Sequence, residues 1–142
     1  MNKKIKEAIN VLEQGGIVIF PTDTAFGIGC RMDDAQAVEK LFSIRKRPNR
    51  QAVPVLFNSV EMIKPYVLDI PEKVEDELMR KYWPGALTII LSADLKKIPK
   101  LVRGGGVSVG TRIPAHEVPL SLITGLGVPL IGTSANFHGE KT

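Results

Sequence analysis

Three short polar or basic stretches stand at the edges of apolar segments, and their side chains could bind an anionic ligand. The stretches are Pro21-Thr22-Asp23-Thr24, Arg45-Lys46-Arg47-Pro48 and Thr133-Ser134-Ala135-Asn136. Hydroxyls, guanidinium groups and an amide at the ends of strands or helices are what a small, anionic, hydroxyl-bearing ligand requires. The sequence therefore predicts a small-molecule site formed by these stretches.

Arg112 is a further candidate, because it stands in an otherwise apolar segment over residues 107–113. Its guanidinium must either pair with an anion or extend into solvent, since leaving a buried charge unpaired costs several kcal/mol. The sequence leaves open whether that anion is a ligand or a carboxylate of the protein itself.

Each of these features also has a structural explanation. Thr22 and Thr24 could be ordinary turn hydroxyls, and Asp23 could cap the same turn. Ser134 and Asn136 could cap a following segment, a common role of both residue types. The basic stretch could be a solvated helix end. The residues alone leave these alternatives open.

The familiar phosphate-binding signatures are missing from the sequence. No Gly-x-x-x-x-Gly-Lys-Ser/Thr loop and no Gly-x-Gly-x-x-Gly turn opens a helix after a strand. The Gly104-Gly105-Gly106 run is typical of a turn between strands, although its N–H groups could approach a phosphate. Cys30 is the single cysteine of the sequence and so cannot form an internal disulfide, and together with the two histidines it lacks the spacing of a zinc site. We therefore expect neither a disulfide nor a metal ion held by protein ligands.

Length and composition indicate a single domain. The chain has 142 residues, 44% of them hydrophobic, enough for one core that buries roughly two-thirds of the unfolded surface. No apolar run approaches the ~20 residues of a transmembrane helix, and the N-terminus does not resemble a signal peptide. We therefore expect a cytoplasmic protein with no membrane partner. The basic pI, about 9.3, would suit an acidic partner such as RNA.

Apolar periodicity and turn residues predict alternating helices and short buried strands. Helices are predicted over 2–14, over 115–124, from a cap at Asp33 or Asp34 to before Pro48, and briefly after a cap at Asn58. A further helix is predicted to begin at Pro71, with four side chains facing inward: Val74, Leu78, Met79 and Tyr82. Strands are predicted over 17–20, 53–57, 87–91, 107–113 and 128–131. The alternation favours an α/β fold built on a layered sheet, in which 87–113 could contain an antiparallel pair.

Five motifs in chain order resemble the YrdC family. They are Pro-Thr-Asp-Thr-x-Phe-Gly-Ile-Gly, Arg-x-Arg-Pro, Trp-Pro-Gly-x-Leu-Thr, Arg-Ile-Pro-x-His and Thr-Ser-Ala-Asn-Phe-x-Gly, and the resemblance spans about residues 15–142. The best-known members of this family are threonylcarbamoyl-AMP synthases, which start the biosynthesis of threonylcarbamoyladenosine in tRNA. The resemblance implies a twisted, mixed, open α/β sheet with flanking helices and a basic concave cleft. Family domains continue past the last motif, so the single domain 1–142 is expected to lack a C-terminal portion.

The resemblance also implies a role for individual residues. Thr22 falls where the family contacts substrate threonine, Phe26 where a tyrosine is usual, and Arg112 where an arginine meets the threonine carboxylate. Arg45, at a lysine position, and Arg47 would hold the ATP phosphates and supply the catalytic positive charge. Further ATP contacts are expected from Asn49, Ser134 and Asn136, with weaker ones from Ser108 and Thr142.

The implied reaction converts L-threonine, bicarbonate and ATP into threonylcarbamoyl-AMP and pyrophosphate, with Mg²⁺ bridging phosphate oxygens. The carbamate is already an anionic nucleophile, so no Ser-His-Asp or Cys-His assembly is needed, and the sequence suggests none. The implied partners are tRNA or double-stranded RNA and proteins of the tRNA modification pathway. Two alternatives remain open: a non-catalytic RNA-binding module, and a carbamoyl-transfer domain related to the same family.

Overall fold

The computed structural model describes residues 2–46, 48 and 51–134. Within these residues, one open sheet contains the strands β1 (Val18–Pro21), β2 (Phe26–Arg31), β3 (Val55–Leu56), β4 (Ile89–Ser92), β5 (Ser108–Arg112) and β6 (Leu130–Ser134). Their spatial order is β1-β2-β6-β3-β5-β4. Strands β3 and β5 pair in parallel, and the other neighbours pair antiparallel. The predicted mixed α/β sheet is confirmed, as is the antiparallel pair within 87–113.

Helical segments connect these strands. They are α1 (Lys3–Glu13), α2 (Ala35–Arg45), α3 (Val60–Ile63), α4 (Glu72–Val74), α5 (Arg80–Tyr82) and α6 (Glu117–Leu126), with a 3-10 turn at Lys64–Tyr66 and a π-helical turn at Glu75–Met79. The side chain of Asn2 caps α1, and that of Asp34 caps α2, by accepting bonds from backbone N–H groups of the first turn. Within the described ranges, no helix is long and apolar enough to span a membrane.

The two faces of the sheet pack against different helices, because successive strand residues point to opposite faces. On one face, the buried side chains of α1 and α6 pack on Phe20, Leu56 and Leu130. On the other face, α2 packs on Ile28 and on residues of the neighbouring strands. Apolar burial of this kind supplies most of the stability of such a layered domain.

Strand β2 was not predicted, because its two glycines lower the β-propensity of the segment. The structure explains why glycine stands there. A Cβ on Gly29 would lie 2.0 Å from the Ile131 carbonyl oxygen, and one on Gly27 would lie 3.4 Å from the Phe20 ring. The contact at Gly27 would be an ordinary one, but a Cβ on Gly29 would also lie 3.3 Å from Phe20 Cε1, so glycine at position 29 allows Phe20 and the backbone of β6 to pack directly against β2.

The helix predicted from Pro71 is wrong in its details. Pro71 precedes the helix as its N-cap, and the helical segment is interrupted by the π turn. Met79 is buried as predicted, but Leu78 and Tyr82 are 38% and 48% exposed. A π turn holds an extra residue, so it rotates the following side chains away from the positions that a 3.6-residue period assigns.

Several predicted boundaries also change. Ser59, not Asn58, caps α3, accepting a bond from the Met62 N–H at 3.2 Å, while Asn58 bonds the Thr124 hydroxyl. Strand β3 is shorter than 53–57, and α6 begins at Glu117 rather than at position 115. Strand β6 extends to Ser134, so the first two residues of the last motif, Thr133 and Ser134, belong to the strand itself.

Candidate functional site

A cavity of about 220 Å³ opens on the sheet face that carries α1 and α6. The position of the cavity follows from Phe20 and Leu56, which line the cavity and also belong to the core cluster beneath α1 and α6. Binding pockets for drug-sized molecules usually hold roughly 300–1,000 Å³. The cavity therefore suits a ligand of amino-acid size and is too small for a whole nucleotide.

Four residues singled out from the sequence line this cavity together: Thr22, Phe26, Arg112 and Ser134. They come from the β1–β2 hairpin, from the end of β5 and from the end of β6. The strand order brings them together, since β2, β6, β3 and β5 lie side by side.

Two glycines form part of the cavity floor. Gly27 and Gly132 both line the cavity, beside the ring of Phe20. A Cβ on Gly132 would lie 2.9 Å from Leu56 Cδ1 and 3.4 Å from Phe20 Cζ. A side chain at Gly132 would crowd the apolar wall, so glycine at this position preserves the shape of the floor.

Thr22 is engaged in the turn that joins β1 to β2. Its hydroxyl donates to the Ala25 carbonyl oxygen at 2.7 Å and accepts from the Ala25 N–H at 3.2 Å. A threonine hydroxyl has a single proton, and here that proton is used within the protein. Thr22 therefore acts first as a turn residue, the structural explanation that the sequence left open.

Thr24 also lines the cavity; it belongs to the first polar stretch singled out from the sequence, but no ligand contact of its own was predicted for it. Its Oγ1 lies 3.2 Å from Thr22 Oγ1. Because Thr22 gives its proton to Ala25, Thr24 is the donor in this contact, and its own oxygen keeps lone pairs for a ligand. The signal in the sequence was the repeat of threonine two residues after Thr22 in a tight turn.

Arg112 finds a carboxylate within the protein. Its Nε donates to the Gly85 carbonyl oxygen at 2.9 Å, and its Nη2 forms an ion pair with Asp23. The two paired side chains are 12% and 17% exposed. Nη1 takes part in neither contact, and it has no hydrogen-bond partner in the described part of the chain. The guanidinium is thus held in place with donors remaining for a ligand carboxylate, a geometry suited to charge-assisted bonds.

Arg45 lies at the edge of this cavity rather than in its lining. It is the last residue of α2, it is 4% exposed, and its Nη2 donates to Ser134 Oγ at 3.5 Å. This contact ties the end of α2 to the end of β6. Its role in binding phosphate stays a prediction.

The other predicted site residues lie elsewhere or are not described. Ser108 is exposed at the start of β5, about 13 Å along the strand from Arg112 at ~3.3 Å per residue, and does not line the cavity. The remaining predicted contacts lie outside the described residues: Arg47, Asn49, Asn136 and Thr142.

The thiol of Cys30 is not part of the cavity. Burial, with the carboxylates of Asp34 and Asp33, raises the pKa of the Cys30 thiol to about 12. The side chain is fully buried beneath α2. A thiol with so high a pKa is a poor nucleophile, so Cys30 is a core residue. Among the described residues, no group of three or more histidine, cysteine or acidic side chains could hold a metal ion.

Comparison with known proteins identifies relatives over nearly the whole chain. The profile of the Sua5/YciO/YrdC family, described as "Telomere recombination", matches residues 10–142. The chain is 34% identical over 139 residues to a threonylcarbamoyl-AMP synthase of Pyrococcus abyssi, covering 98% of this chain and 40% of that protein. It is 31% identical to the threonylcarbamoyl-AMP synthase of Aliivibrio fischeri, covering 96% of this chain and 74% of that protein.

A solved structure shows the same arrangement of elements. The crystal structure of P. abyssi Sua5 complexed with L-threonine matches 98% of this chain with a TM-score of 0.93 and 33% sequence identity. The match covers 40% of that protein. The chain therefore spans less than half of the Pyrococcus relative and about three-quarters of the Aliivibrio one.

Proposed function

The chain belongs to the Sua5/YciO/YrdC family, and we propose that its cavity binds L-threonine and that the domain forms threonylcarbamoyl-AMP from L-threonine, bicarbonate and ATP. The observation that carries this proposal is the held guanidinium of Arg112 in a cavity of amino-acid size, beside the hydroxyls of Thr24 and Ser134. The names of the relatives, and the relative solved with L-threonine, support it.

The proposed chemistry requires no nucleophile from the protein. The ammonium group of threonine first loses a proton to solvent, and the resulting amine adds to bicarbonate or carbon dioxide and gives a carbamate, with loss of water where bicarbonate reacts and of a further proton where carbon dioxide reacts. A carbamate oxygen then forms a bond to the α-phosphorus of ATP, and the bond from that phosphorus to pyrophosphate breaks. Positioning and electrostatic stabilisation are the contributions left to the protein. The engaged hydroxyl of Thr22 and the buried thiol of Cys30 are compatible with this division of labour.

Within this reaction, Arg112 would bind the α-carboxylate and so fix the amine above the cavity floor. Thr24 and Ser134 would contact the polar groups of the amino acid, and Phe26 would form part of the apolar wall. Two charge-assisted bonds to a carboxylate are strongly directional, which favours one orientation of the bound amino acid.

The proposed ATP site lies next to the amino acid, at the end of β6. The contact between Arg45 and Ser134 supports this proposal, because it joins the end of α2 to a residue of the cavity lining. We assign the phosphates to Arg45 and Arg47, with further nucleotide contacts from Asn49, Ser134 and Asn136. Ser108 and Thr142 stay weaker candidates.

Mg²⁺ is proposed to enter with ATP. The ion usually takes one or two carboxylates together with phosphate oxygens and water. Asp23, a carboxylate close to the cavity, is paired with Arg112, so the described residues favour phosphate and water as the main ligands of the ion. The ion would neutralise part of the phosphate charge, while the protein would hold the phosphates with arginine.

We also propose that the product serves the threonylcarbamoyladenosine modification of tRNA in the cytoplasm. This proposal rests on the family resemblance of the sequence motifs, and the names of the relatives support only the formation of threonylcarbamoyl-AMP. Contacts with tRNA, double-stranded RNA or other proteins of that pathway would lie outside the cavity described above.

The test is release of pyrophosphate from ATP, measured with L-threonine and bicarbonate varied separately. We expect release that requires both compounds. Arg112→Lys should raise the KM for threonine by roughly tenfold or more and leave the KM for ATP little changed, because lysine cannot reproduce a two-point contact with a carboxylate. ATP hydrolysis independent of threonine, or RNA binding without any turnover, would contradict the proposal and favour the binding-module alternative.

A further inference from the structure

The ion pair between Asp23 and Arg112 lies beside the cavity, because Arg112 belongs to the cavity lining. Asp23 lies at the tip of the β1–β2 hairpin, and Arg112 lies at the end of β5. Between β2 and β5 stand β6 and β3, so three strand spacings of ~4.8 Å, about 14 Å in all, separate the two strands. Residues of each intervening strand line the cavity, among them Ser134 and Leu56.

This ion pair determines the net charge close to a ligand bound by Arg112. With Asp23 ionised and paired, the guanidinium and the carboxylate together carry no net charge. A ligand carboxylate on Arg112 therefore also lies close to a second carboxylate. Like charges at such a distance repel each other, and partial burial weakens the screening by water.

We propose that Asp23 is a specificity-determining residue that makes the cavity select zwitterionic amino acids over plain carboxylic acids. The inference rests on the proposed function in that the ligand of Arg112 is taken to be the α-carboxylate of the substrate. An ammonium group next to that carboxylate offsets the repulsion by Asp23, because the zwitterion as a whole is neutral. A hydroxy acid of the same shape carries a net negative charge and has no such compensation.

The experiment compares two ligands that share shape and carboxylate. They are L-threonine and the hydroxy acid in which a hydroxyl group replaces its α-amine. The quantity measured by titration calorimetry is the ratio of the Kd of the hydroxy acid to the Kd of threonine. In the wild-type protein this ratio should exceed one. In Asp23→Asn, which keeps a side-chain oxygen but removes the charge, the ratio should fall by about tenfold, as expected for one charge acting over ~7 Å at an intermediate dielectric constant.

The ratio separates an effect of charge from an effect on structure. If Asp23 only held Arg112 in place, its replacement would weaken both ligands alike, and the ratio would not move. Asp33→Asn is the matched control, because it removes a carboxylate that pairs with Arg31 at the other end of β2, with Nε–Oδ1 at 2.7 Å. That variant should keep the wild-type ratio. Asp23→Glu, which retains the charge, should also stay close to it.

Each outcome decides between the proposals. An unchanged ratio in a folded Asp23→Asn protein that still binds threonine overturns the role of Asp23 and leaves the proposed function intact. Failure of the wild-type protein to bind threonine overturns both. If Asp23→Asn does not fold, Asp23→Ser, which also removes the charge, takes its place in the comparison. Equal affinity of the wild-type protein for the two ligands overturns selection by Asp23 in either case.

Discussion

Two threonine hydroxyls in the turn after β1 lie two residues apart and have different roles. Both line the cavity, but the Thr22 hydroxyl donates its proton to the Ala25 carbonyl oxygen and accepts from the Ala25 N–H, whereas the Thr24 oxygen keeps acceptor capacity for a ligand. The same motif thus supplies one residue that builds the turn and one that can meet a ligand. This distinction depends on which atom each proton reaches, and residue types alone do not reveal it.

Substitution of these threonines by valine should separate the two roles, because valine keeps the shape and removes the hydroxyl. Thr22→Val should lower the free energy of unfolding by about 0.5–1.5 kcal/mol, the usual net contribution of a hydrogen bond. Thr24→Val should leave unfolding nearly unchanged and weaken threonine binding by roughly two- to tenfold. Urea unfolding and titration calorimetry measure the two effects. The reverse pattern would show that Thr22 is the ligand contact.

The buried thiol of Cys30 gives the protein a defined dependence on alkaline pH. Because its pKa is raised to about 12 in the folded state, the thiol stays protonated there, while in the unfolded chain it ionises above its ordinary pKa of about 8.5. Its contribution to stability is therefore complete below about pH 8.5 and declines as the pH rises toward 12, by up to ~1.4 kcal/mol per pH unit.

Replacing Cys30 with alanine should remove this decline. The variant is expected to be less stable at neutral pH, because it loses buried volume, but its free energy of unfolding should fall less steeply between about pH 8.5 and pH 11. Urea unfolding of both proteins across that range is the measurement. Lysine and tyrosine groups titrate in both proteins, so only the difference between the two curves matters. Parallel curves would contradict the high pKa of the thiol.

The packing of β1, β2 and β6 depends on glycine at defined positions. A Cβ at Gly29 would lie 2.0 Å from a backbone oxygen of β6, which cannot move away without breaking the strand pairing. Gly29→Ala should therefore destabilise the domain by at least about 3 kcal/mol. At Gly106, the nearest atom to a Cβ is the Arg103 carbonyl oxygen at 3.5 Å, an ordinary contact.

Gly106→Ala is accordingly the matched control. Its melting temperature should remain within a few degrees of the wild-type value, because a surface substitution without a clash usually changes stability by less than ~0.5 kcal/mol. Thermal unfolding followed by circular dichroism compares the two variants. A Gly29→Ala protein as stable as Gly106→Ala would show that β2 and β6 are not in direct contact as described.

The elements that the sequence predicted well are those whose signals are local. Helices α1 and α2 have an apolar period and a capping side chain, Asn2 and Asp34, close in sequence. Strand β2 was missed because the reason for Gly29 lies in two other strands, in the Ile131 backbone of β6 and in the Phe20 ring of β1. The π turn at Glu75–Met79 shifted Leu78 and Tyr82 outward, and nothing in the apolar pattern marks such an insertion.

At the scale of the whole molecule, the sheet assembles the site from distant parts of the chain. Thr22, Arg112 and Ser134 could be singled out because of their residue types and motifs, and the strand order brings them to one cavity. The pairing of Asp23 with Arg112, which are 89 positions apart, could not be predicted. It depends on how two strands, β6 and β3, separate the hairpin from β5, and that is a property of the tertiary structure.

The central claim is that the cavity holds the carboxylate of L-threonine on Arg112, and a structure of this protein with L-threonine at saturating concentration tests it most directly. We expect the amino acid between the β1–β2 turn and β6, with a carboxylate oxygen about 2.7–2.9 Å from the Arg112 guanidinium and a polar group within reach of Thr24. Threonine bound away from Arg112, or an empty cavity at a concentration that saturates binding in solution, would contradict the account.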